Sequence, residues 1–256
     1  MINIKSPDEI EIMAEGGKIL AEILQKLSAA VKPGIATIEL DKLARELCLS
    51  YKVKPAFLGY NDFPAALCVS VNEEVVHGVP SERSLKEGDI VGLDMGVING
   101  GFNTDSAITV PVLGNLKYED WAKKDPKHAK LIEVTKHALN AGIKKAVVGN
   151  RIGAIGHEIQ KIAEKENFGV VRDLSGHGIG RVLHEEPDVP NFGKTSDGPE
   201  LAEGMVIAIE PMITTGDWKI KLASDHQAYV TQDGSFSAHF EHTVAVTCNG
   251  PWVLTE

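Results

Sequence analysis

Four carboxylates and three histidines interrupt or border apolar runs of this sequence and are the residues most able to do chemistry. Asp94 follows Ile90-Val91-Gly92-Leu93 and Asp105 precedes Ser106-Ala107-Ile108-Thr109-Val110, on either side of Asn99-Gly100. Asn-Gly favours a two-residue type I′ hairpin turn. With that turn Ile98 stands opposite Gly101 and Asp94 directly opposite Asp105 on one face, their Cβ atoms about 5 Å apart. Two ionised carboxylates at that spacing repel, so something must neutralise them. A shared proton serves, and so does a divalent cation, which takes hard carboxylate ligands. Glu210 follows Val206-Ile207-Ala208-Ile209, Glu241 precedes Thr243-Val244-Ala245-Val246, and His177 sits in Ser175-Gly176-His177-Gly178-Ile179-Gly180. Four carboxylates and one imidazole exceed what one tetrahedral ion needs and suit two ions sharing carboxylates. The glycines around His177 have a competing reading as a phosphate-binding turn, but no capped helix follows them. Glycine there more simply lets backbone approach a crowded site. His77, in Val75-Val76-His77-Gly78-Val79-Pro80, and His184, in Val182-Leu183-His184-Glu185-Glu186-Pro187, are placed one in each half of the chain to flank a reacting centre.

Helices and strands must position these groups. Ser6-Pro7-Asp8-Glu9 is a capping box with proline at the first helical position, followed by Ile10, Met13, Leu20, Leu24 and Leu27 at helical spacing. Pro33-Gly34 ends that helix, and Thr37 opens a second one with Leu40, Leu43, Ala44 and Leu47 on one face. Strand-like runs follow at Ala66 to Val71, at Asp89 to Ile98 and at Phe102 to Val110. The order then recurs. Asp125-Pro126 opens a helix broken at Gly149-Asn150, Ile152 to Lys165 reads as another, and strand-like runs cover Gly204 to Thr214 and Ala238 to Thr247. The segment ending in Asp94 aligns with the one ending in Glu210, and the segment opening at Asp105 with the one opening at Glu241. An internal repeat, roughly 6–115 and 125–250, would gather all four acids near a pseudo-twofold axis.

The 256 residues, 43% of them hydrophobic, are enough for a full core without disulfide or metal staples. A net charge of −10 argues against phosphate-backbone binding as the main activity and predicts no direct nucleic-acid readout, leaving room for a local basic patch. The three cysteines, Cys48, Cys68 and Cys248, form no CxxC pair and read as free thiols of a reducing compartment. The N-terminus lacks the basic start and apolar stretch of a secretory signal, and no apolar run approaches the ~20 residues that span a bilayer. A soluble, cytoplasmic protein without a membrane partner is expected.

Together these motifs resemble the methionine aminopeptidases in their short, type I bacterial form, over essentially the whole chain. The resemblance rests on Leu67 to Glu73, His77-Gly78-Val79-Pro80, the Asp94 and Asp105 hairpin, Ser175 to Gly180, His184-Glu185-Glu186-Pro187, Ile209-Glu210-Pro211-Met212 and Glu241-His242-Thr243. It implies an α/β (α+β) pita-bread fold, with two pseudo-twofold-related halves of two helices and antiparallel strands around a central site. Residues 1–256 would form one catalytic domain. It further implies Asp94 as ligand of one metal, Asp105 and Glu241 as bridges, and His177 and Glu210 as ligands of the other. The cofactors would be two divalent ions (Co, Mn, Fe or Zn), with a monovalent cation as a further candidate. The implied reaction is hydrolytic removal of an initiator methionine by a water bridging the metals. Glu210 would relay the proton, while His77 and His184 hold the scissile peptide. The α-amine would bind at the ion held by Asp94. For the methionine side chain the resemblance points to Phe57, Tyr60, Phe63, Cys68, Leu183 and Trp218, with Phe57 and Leu183 standing where many relatives carry cysteine and phenylalanine. Implied partners are nascent chains beginning with Met and a small residue, with transient ribosome association and a monomeric state. Two other readings are an Xaa-Pro aminopeptidase or dipeptidase of the same fold, which typically carries an additional N-terminal domain, and a non-catalytic binding relative, which would be expected to lose ligands.

Overall fold

The computed structural model describes residues 2–256. Helices α1 (Pro7–Ala30) and α2 (Thr37–Tyr51) lead into β1 (Lys54–Pro55), β2 (Cys68–Val71), β3 (Glu74–Val76) and the long hairpin of β4 (Ile90–Asn99) and β5 (Phe102–Pro111). A short α3 (Tyr118–Lys124) precedes α4 (Pro126–Ile143) and α5 (Ile152–Lys165). These are followed by β6 (Gly169–Val170), β7 (Ser175–Gly178), β8 (Glu185–Pro190), β9 (Val206–Ile209), β10 (Met212–Thr214), β11 (Ile220–Leu222), β12 (Tyr229–Thr231), β13 (Ser237–His239), β14 (Glu241–Thr247) and β15 (Gly250–Val253). The capping box forms at the start of α1: Glu9 N–H donates to Ser6 Oγ, and Ser6 N–H donates to the Glu9 carboxylate at 2.8 Å. The Asp125 carboxylate caps α4.

Among the described residues nine strands form an antiparallel sheet ordered β1-β4-β5-β14-β9-β7-β8, with β2 also on β4 and β15 also on β14. Alternation along these strands divides the sheet into two faces. Val91, Leu93, Met95 and Val97 of β4 pack with Leu20, Ile23, Leu24 and Leu27 of α1 and with Leu40 and Ala44 of α2. Ile207 and Ile209 of β9, with Val244 and Val246 of β14, pack against Leu131 and Leu139 of α4 and Ile155 and Ile159 of α5. Both helix pairs therefore cover the same face of the sheet. The opposite parity carries Asp94, Asp105, Glu210 and Glu241.

Two expectations from the sequence are corrected. The β4–β5 turn is not Asn99-Gly100. Asn99 pairs with Phe102, so Gly100 and Gly101 occupy the turn, with φ of 56° and 85°. A type I′ turn needs positive φ at both central residues, which two glycines meet without strain. The Asn99 side chain instead donates to the Ile12 carbonyl oxygen at 3.1 Å. Asp94 thus stands opposite Ala107, and Asp105 opposite Gly96. The displacement is even, so both aspartates stay on one face as diagonal neighbours, at a Cα separation of about 7–8 Å typical of that relation.

The second correction concerns the runs Gly204 to Thr214 and Ala238 to Thr247, which are not continuous strands. Each breaks at or beside its acid, between β9 and β10 at Glu210-Pro211 and between β13 and β14 at Phe240, just before Glu241 opens β14. Pro211 has no N–H to continue a ladder. Beyond these breaks β10 pairs with β13 and β6 in a separate three-stranded sheet, and β11, β12 and β3 form another. Glu210 and Glu241 lie where the chain passes between sheets.

Candidate metal centre and substrate cavity

Asp94, Asp105, His177, Glu210 and Glu241 come together on the wall of a cavity of about 300 Å³. Ligand atoms of Asp105, His177 and Glu241 lie within 4.8 Å of one another. His177 Nε2 is 3.7 Å from Glu210 Oε1. The backbone beneath these groups is held by side chains as well as by the ladder. Asp105 N–H donates to Thr243 Oγ1 at 2.9 Å, Ser106 Oγ donates to the Glu241 carbonyl at 2.7 Å, and Asn191 Nδ2 donates to the Glu210 carbonyl at 2.9 Å. Only Glu241–Ala107 and His242–Ser106 pair across the β5–β14 seam, so these hydroxyl bonds add much of its rigidity.

The acids are short of partners. Asp94 Oδ1, Asp105 Oδ1 and Glu241 Oε1 are buried with no hydrogen-bond donor. Burial first, and repulsion between neighbouring carboxylates second, push the proton affinities of Asp94, Asp105 and Glu241 well above the ordinary carboxylate range. Burial does the same to Glu210. Burial acts oppositely on the imidazoles: His177 is lowered to about 3, His77 to about 4 and His239 to about 3, while His184 is lowered as well. The histidines are neutral at pH 7. His177 Nδ1–H donates to the Gly178 carbonyl at 2.8 Å, which leaves a lone pair on Nε2 facing the acids. A Cβ on Gly176 would run into the Ala208 carbonyl and one on Gly178 into the Glu186 carbonyl, so these glycines serve close backbone approach.

Unpaired carboxylate oxygens beside an imidazole lone pair, in a buried pocket, form a donor set for hard to borderline divalent cations. Four carboxylates at −1 balance two ions at +2. Buried anions of this density are otherwise strongly unfavourable. The residues present therefore fit a divalent metal centre.

His77 and His184 reach the same cavity from different elements. His77 follows β3 with φ of 60°, a conformation that costs a non-glycine residue energy and recurs at functional sites. His184 ends the loop between β7 and β8, its ring centroid 4.2 Å from that of His177, and its Nδ1 lies 3.2 Å from the Tyr60 hydroxyl. That loop is anchored by a buried ion pair, Lys5 Nζ to Glu185 Oε2 at 2.6 Å with both side chains 4% exposed. Glu185 also accepts from Val182 N–H, and Asn103 donates twice to the Gly180 carbonyl. The segment before α1 is thus part of the support for His184.

Phe57, Tyr60, Phe63, Cys68 and Leu183 line the cavity, as the resemblance implied. Cys68 pairs across the ladder with Asp94, which explains its presence beside the acids. Trp218 is not among the lining residues; its ring lies 5.2 Å from the Arg172 guanidinium. The cavity is also lined by Asn61, Leu222, His226, Gln227 and Tyr229, none of them singled out by motif. They come from the short 3-10 turn Tyr60–Asp62, from loops and from β11 and β12, where no periodicity marks a direction. His239 was equally unmarked: the chain changes sheets between it and Glu241, so alternation along one strand does not tell where it faces.

Residues 11–248 match the profile of Metallopeptidase family M24. The chain is 48% identical over 256 residues to a methionine aminopeptidase of Clostridium acetobutylicum, covering 100% of this chain and 99% of that one. It superposes on the crystal structure of a methionine aminopeptidase from Thermotoga maritima with a TM-score of 0.94 and 42% identity, covering all of both chains. A prolidase from Pyrococcus furiosus gives 0.76 at 23% identity, with 65% of that chain covered, a likeness of fold alone. On the profile match and the full-length identity, the chain belongs to metallopeptidase family M24.

Proposed function

We propose that this pita-bread chain, as one catalytic domain, is a metal-dependent methionine aminopeptidase that hydrolyses the peptide bond after an N-terminal methionine. The observation that carries the reading is the set of buried, unpartnered carboxylate oxygens of Asp94, Asp105 and Glu241 facing the His177 lone pair inside an aromatic-lined cavity. Asp94, Asp105, His177, Glu210 and Glu241 would hold two divalent ions, drawn from Co, Mn, Fe or Zn. Bound there, the ions supply Lewis acidity, which polarises a carbonyl and makes water nucleophilic near neutral pH.

The chain's own groups do the rest. The Glu210 carboxylate, on the cavity wall, would accept a proton from the attacking water and return it to the leaving nitrogen. With Tyr60 O–H as the donor to His184 Nδ1, 3.2 Å away, Nε2–H of His184 would be left to donate to the scissile carbonyl oxygen as charge develops on it. His77 holds the adjacent peptide nitrogen. Phe57, Tyr60, Phe63, Cys68 and Leu183 receive an unbranched thioether, with sulfur–aromatic contacts of ~0.3–1.5 kcal/mol. The proposed partners are nascent chains beginning with Met and a small residue, met transiently at the ribosome by a monomer in the cytoplasm. No helix among the described residues is long and apolar enough to cross a membrane.

The test compares chelated and Mn- or Co-restored protein on Met-Ala and Xaa-Pro peptides. Methionine release that appears only with metal is expected. Release only before proline would assign the chain to the dipeptidase-like activity, and inactivity under every metal would reduce it to a binding protein.

A second expectation concerns His77. Gly78 N–H donates to Ser70 Oγ at 3.1 Å and its carbonyl accepts from Val69 N–H at 2.8 Å, while a Cβ there would run into the Val69 carbonyl. Gly78→Ala must displace the adjoining His77. Misplacement of a positioning group by about 1 Å costs on the order of 100-fold. Gly78→Ala is expected to lower kcat/KM on Met-Ala peptides by that order while leaving metal affinity unchanged. Unchanged kcat/KM would remove His77 from the site's working parts.

A further inference from the structure

His239 ends β13 two residues before Glu241, and its side chain is 3% exposed. Its backbone is locked on two sides. Thr109 Oγ1 accepts from His239 N–H at 2.9 Å and donates to the His239 carbonyl at 2.7 Å, and His239 pairs with Met212 of β10, just past Glu210-Pro211. The imidazole is therefore carried on a rigid support shared with the segment that carries Glu210. Yet His239 Nε2 has no hydrogen-bond partner, and a buried polar atom in that state calls for an explanation. The nearest carboxylate oxygen is Glu210 Oε2, at 3.5 Å.

The two oxygens of Glu210 are thus divided between two imidazoles, Oε1 toward His177 and Oε2 toward His239. The rings differ in what they present. His177 gives its Nδ1–H to a backbone carbonyl and turns a lone pair inward. A second inward lone pair on His239 would repel the facing carboxylate oxygen, whereas an N–H there is attracted to it. Outer hydrogen bonds of this kind fix the orientation of ligating carboxylates.

We infer that His239 is a positioning residue whose Nε2–H holds Oε2 of Glu210 and so keeps Oε1 on the His177 side of the cation site. The inference rests on Glu210 being a metal ligand, as proposed above. His239 itself touches neither substrate nor cation.

The test is calorimetric titration of Mn2+ into metal-free wild type, His239→Gln, His239→Phe, His239→Asn and Glu210→Gln proteins, with thermal melting of each metal-free protein. Glutamine places an N–H near the position of Nε2, phenylalanine fills the volume without a donor, and asparagine is too short to reach. Loss of an outer-shell partner costs 10–100-fold in metal affinity. His239→Phe is expected to weaken binding of at least one ion by about that factor, and His239→Gln to stay within about threefold of wild type. If His239→Phe does not fold, His239→Asn carries the same expectation. Wild-type affinity in His239→Phe and His239→Asn, with Glu210→Gln impaired, would overturn the role of His239 alone. Equal loss in His239→Gln and His239→Phe would overturn positioning in favour of direct ligation. Wild-type affinity in Glu210→Gln would remove the reading on which the inference rests.

Discussion

Asp105→Asn is expected to lower methionine release by at least about a thousandfold at saturating peptide and to weaken metal binding, without destabilising the metal-free protein. The first half follows from position. Asp105 contributes a ligand atom to the group formed with His177 and Glu241 and has a buried oxygen with no protein donor. A bound cation contributes several kcal/mol of transition-state stabilisation, and about 4 kcal/mol corresponds to three decades of rate.

The second half separates a metal ligand from a structural acid. A buried carboxylate that holds the fold together is costly to replace, as Asp41 would be, since it accepts from Ala66 N–H, Leu67 N–H and Arg45. Asp105 instead faces other acids, and amidation removes a like charge from among them. The metal-free Asp105→Asn protein should melt at or above the wild-type temperature at pH 8. A gain of 1 kcal/mol corresponds to roughly 2–4 °C in a chain of this size. A melting temperature well below wild type would show that the Asp105 carboxylate has protein partners that matter and would remove the cation from the argument.

In the metal-free protein, stability is expected to rise as pH falls from about 8.5 to about 6.5, opposite to ordinary acid sensitivity. Burial raises Asp105 and Glu210 to about 8, and Asp94 and Glu241 rise as well. Unfolded, these groups ionise near pH 4. A folded group with a raised pKa contributes stability fully below the unfolded value and loses it as pH climbs through the folded value. Above pH 6.5 the unfolded chain holds none of these protons and the folded chain still holds some. Each retained proton then gives a slope on the order of 1 kcal/mol per pH unit.

Below about pH 6.5 the trend is checked by His77, His177, His184 and His239. Their lowered folded affinities cost stability as their unfolded counterparts take up protons. Saturating Mn2+ should abolish the rise between 8.5 and 6.5, because cations replace protons as the neutralising charge. The measurement is thermal melting against pH with chelator and with metal. A metal-free melting temperature that falls steadily from pH 8.5 to 6.5 would contradict a buried uncompensated acid cluster.

How much of this was legible in the sequence differs from residue to residue. The helix starts at Pro7, Thr37, Pro126 and Ile152 were readable because capping residues, proline and apolar spacing act within a few residues of one another. Asp94 and Asp105 were readable as a same-face pair because parity along a strand survives an even shift of register. Their direct opposition was not, because two competing turns, Asn99-Gly100 and Gly100-Gly101, differ only in local strain and in a tertiary bond from Asn99 to Ile12. Glu210 and Glu241 were readable as acids bordering apolar runs. That both lie at breaks where the chain changes sheets was not, since a strand and its bent continuation share one composition.

The amino-acid order by itself determined which groups are available, the two helix-helix-strand halves and the incompatibility of so many acids in apolar strands without a counter-charge. Those properties depend on near neighbours and on residue type. Only the folded molecule decided that Lys5 supports the loop of His184, that Trp218 stays off the cavity wall and that His239 faces Glu210. These contacts join segments far apart in the chain, and their geometry depends on the packing of whole sheets against each other, for which no local pattern exists.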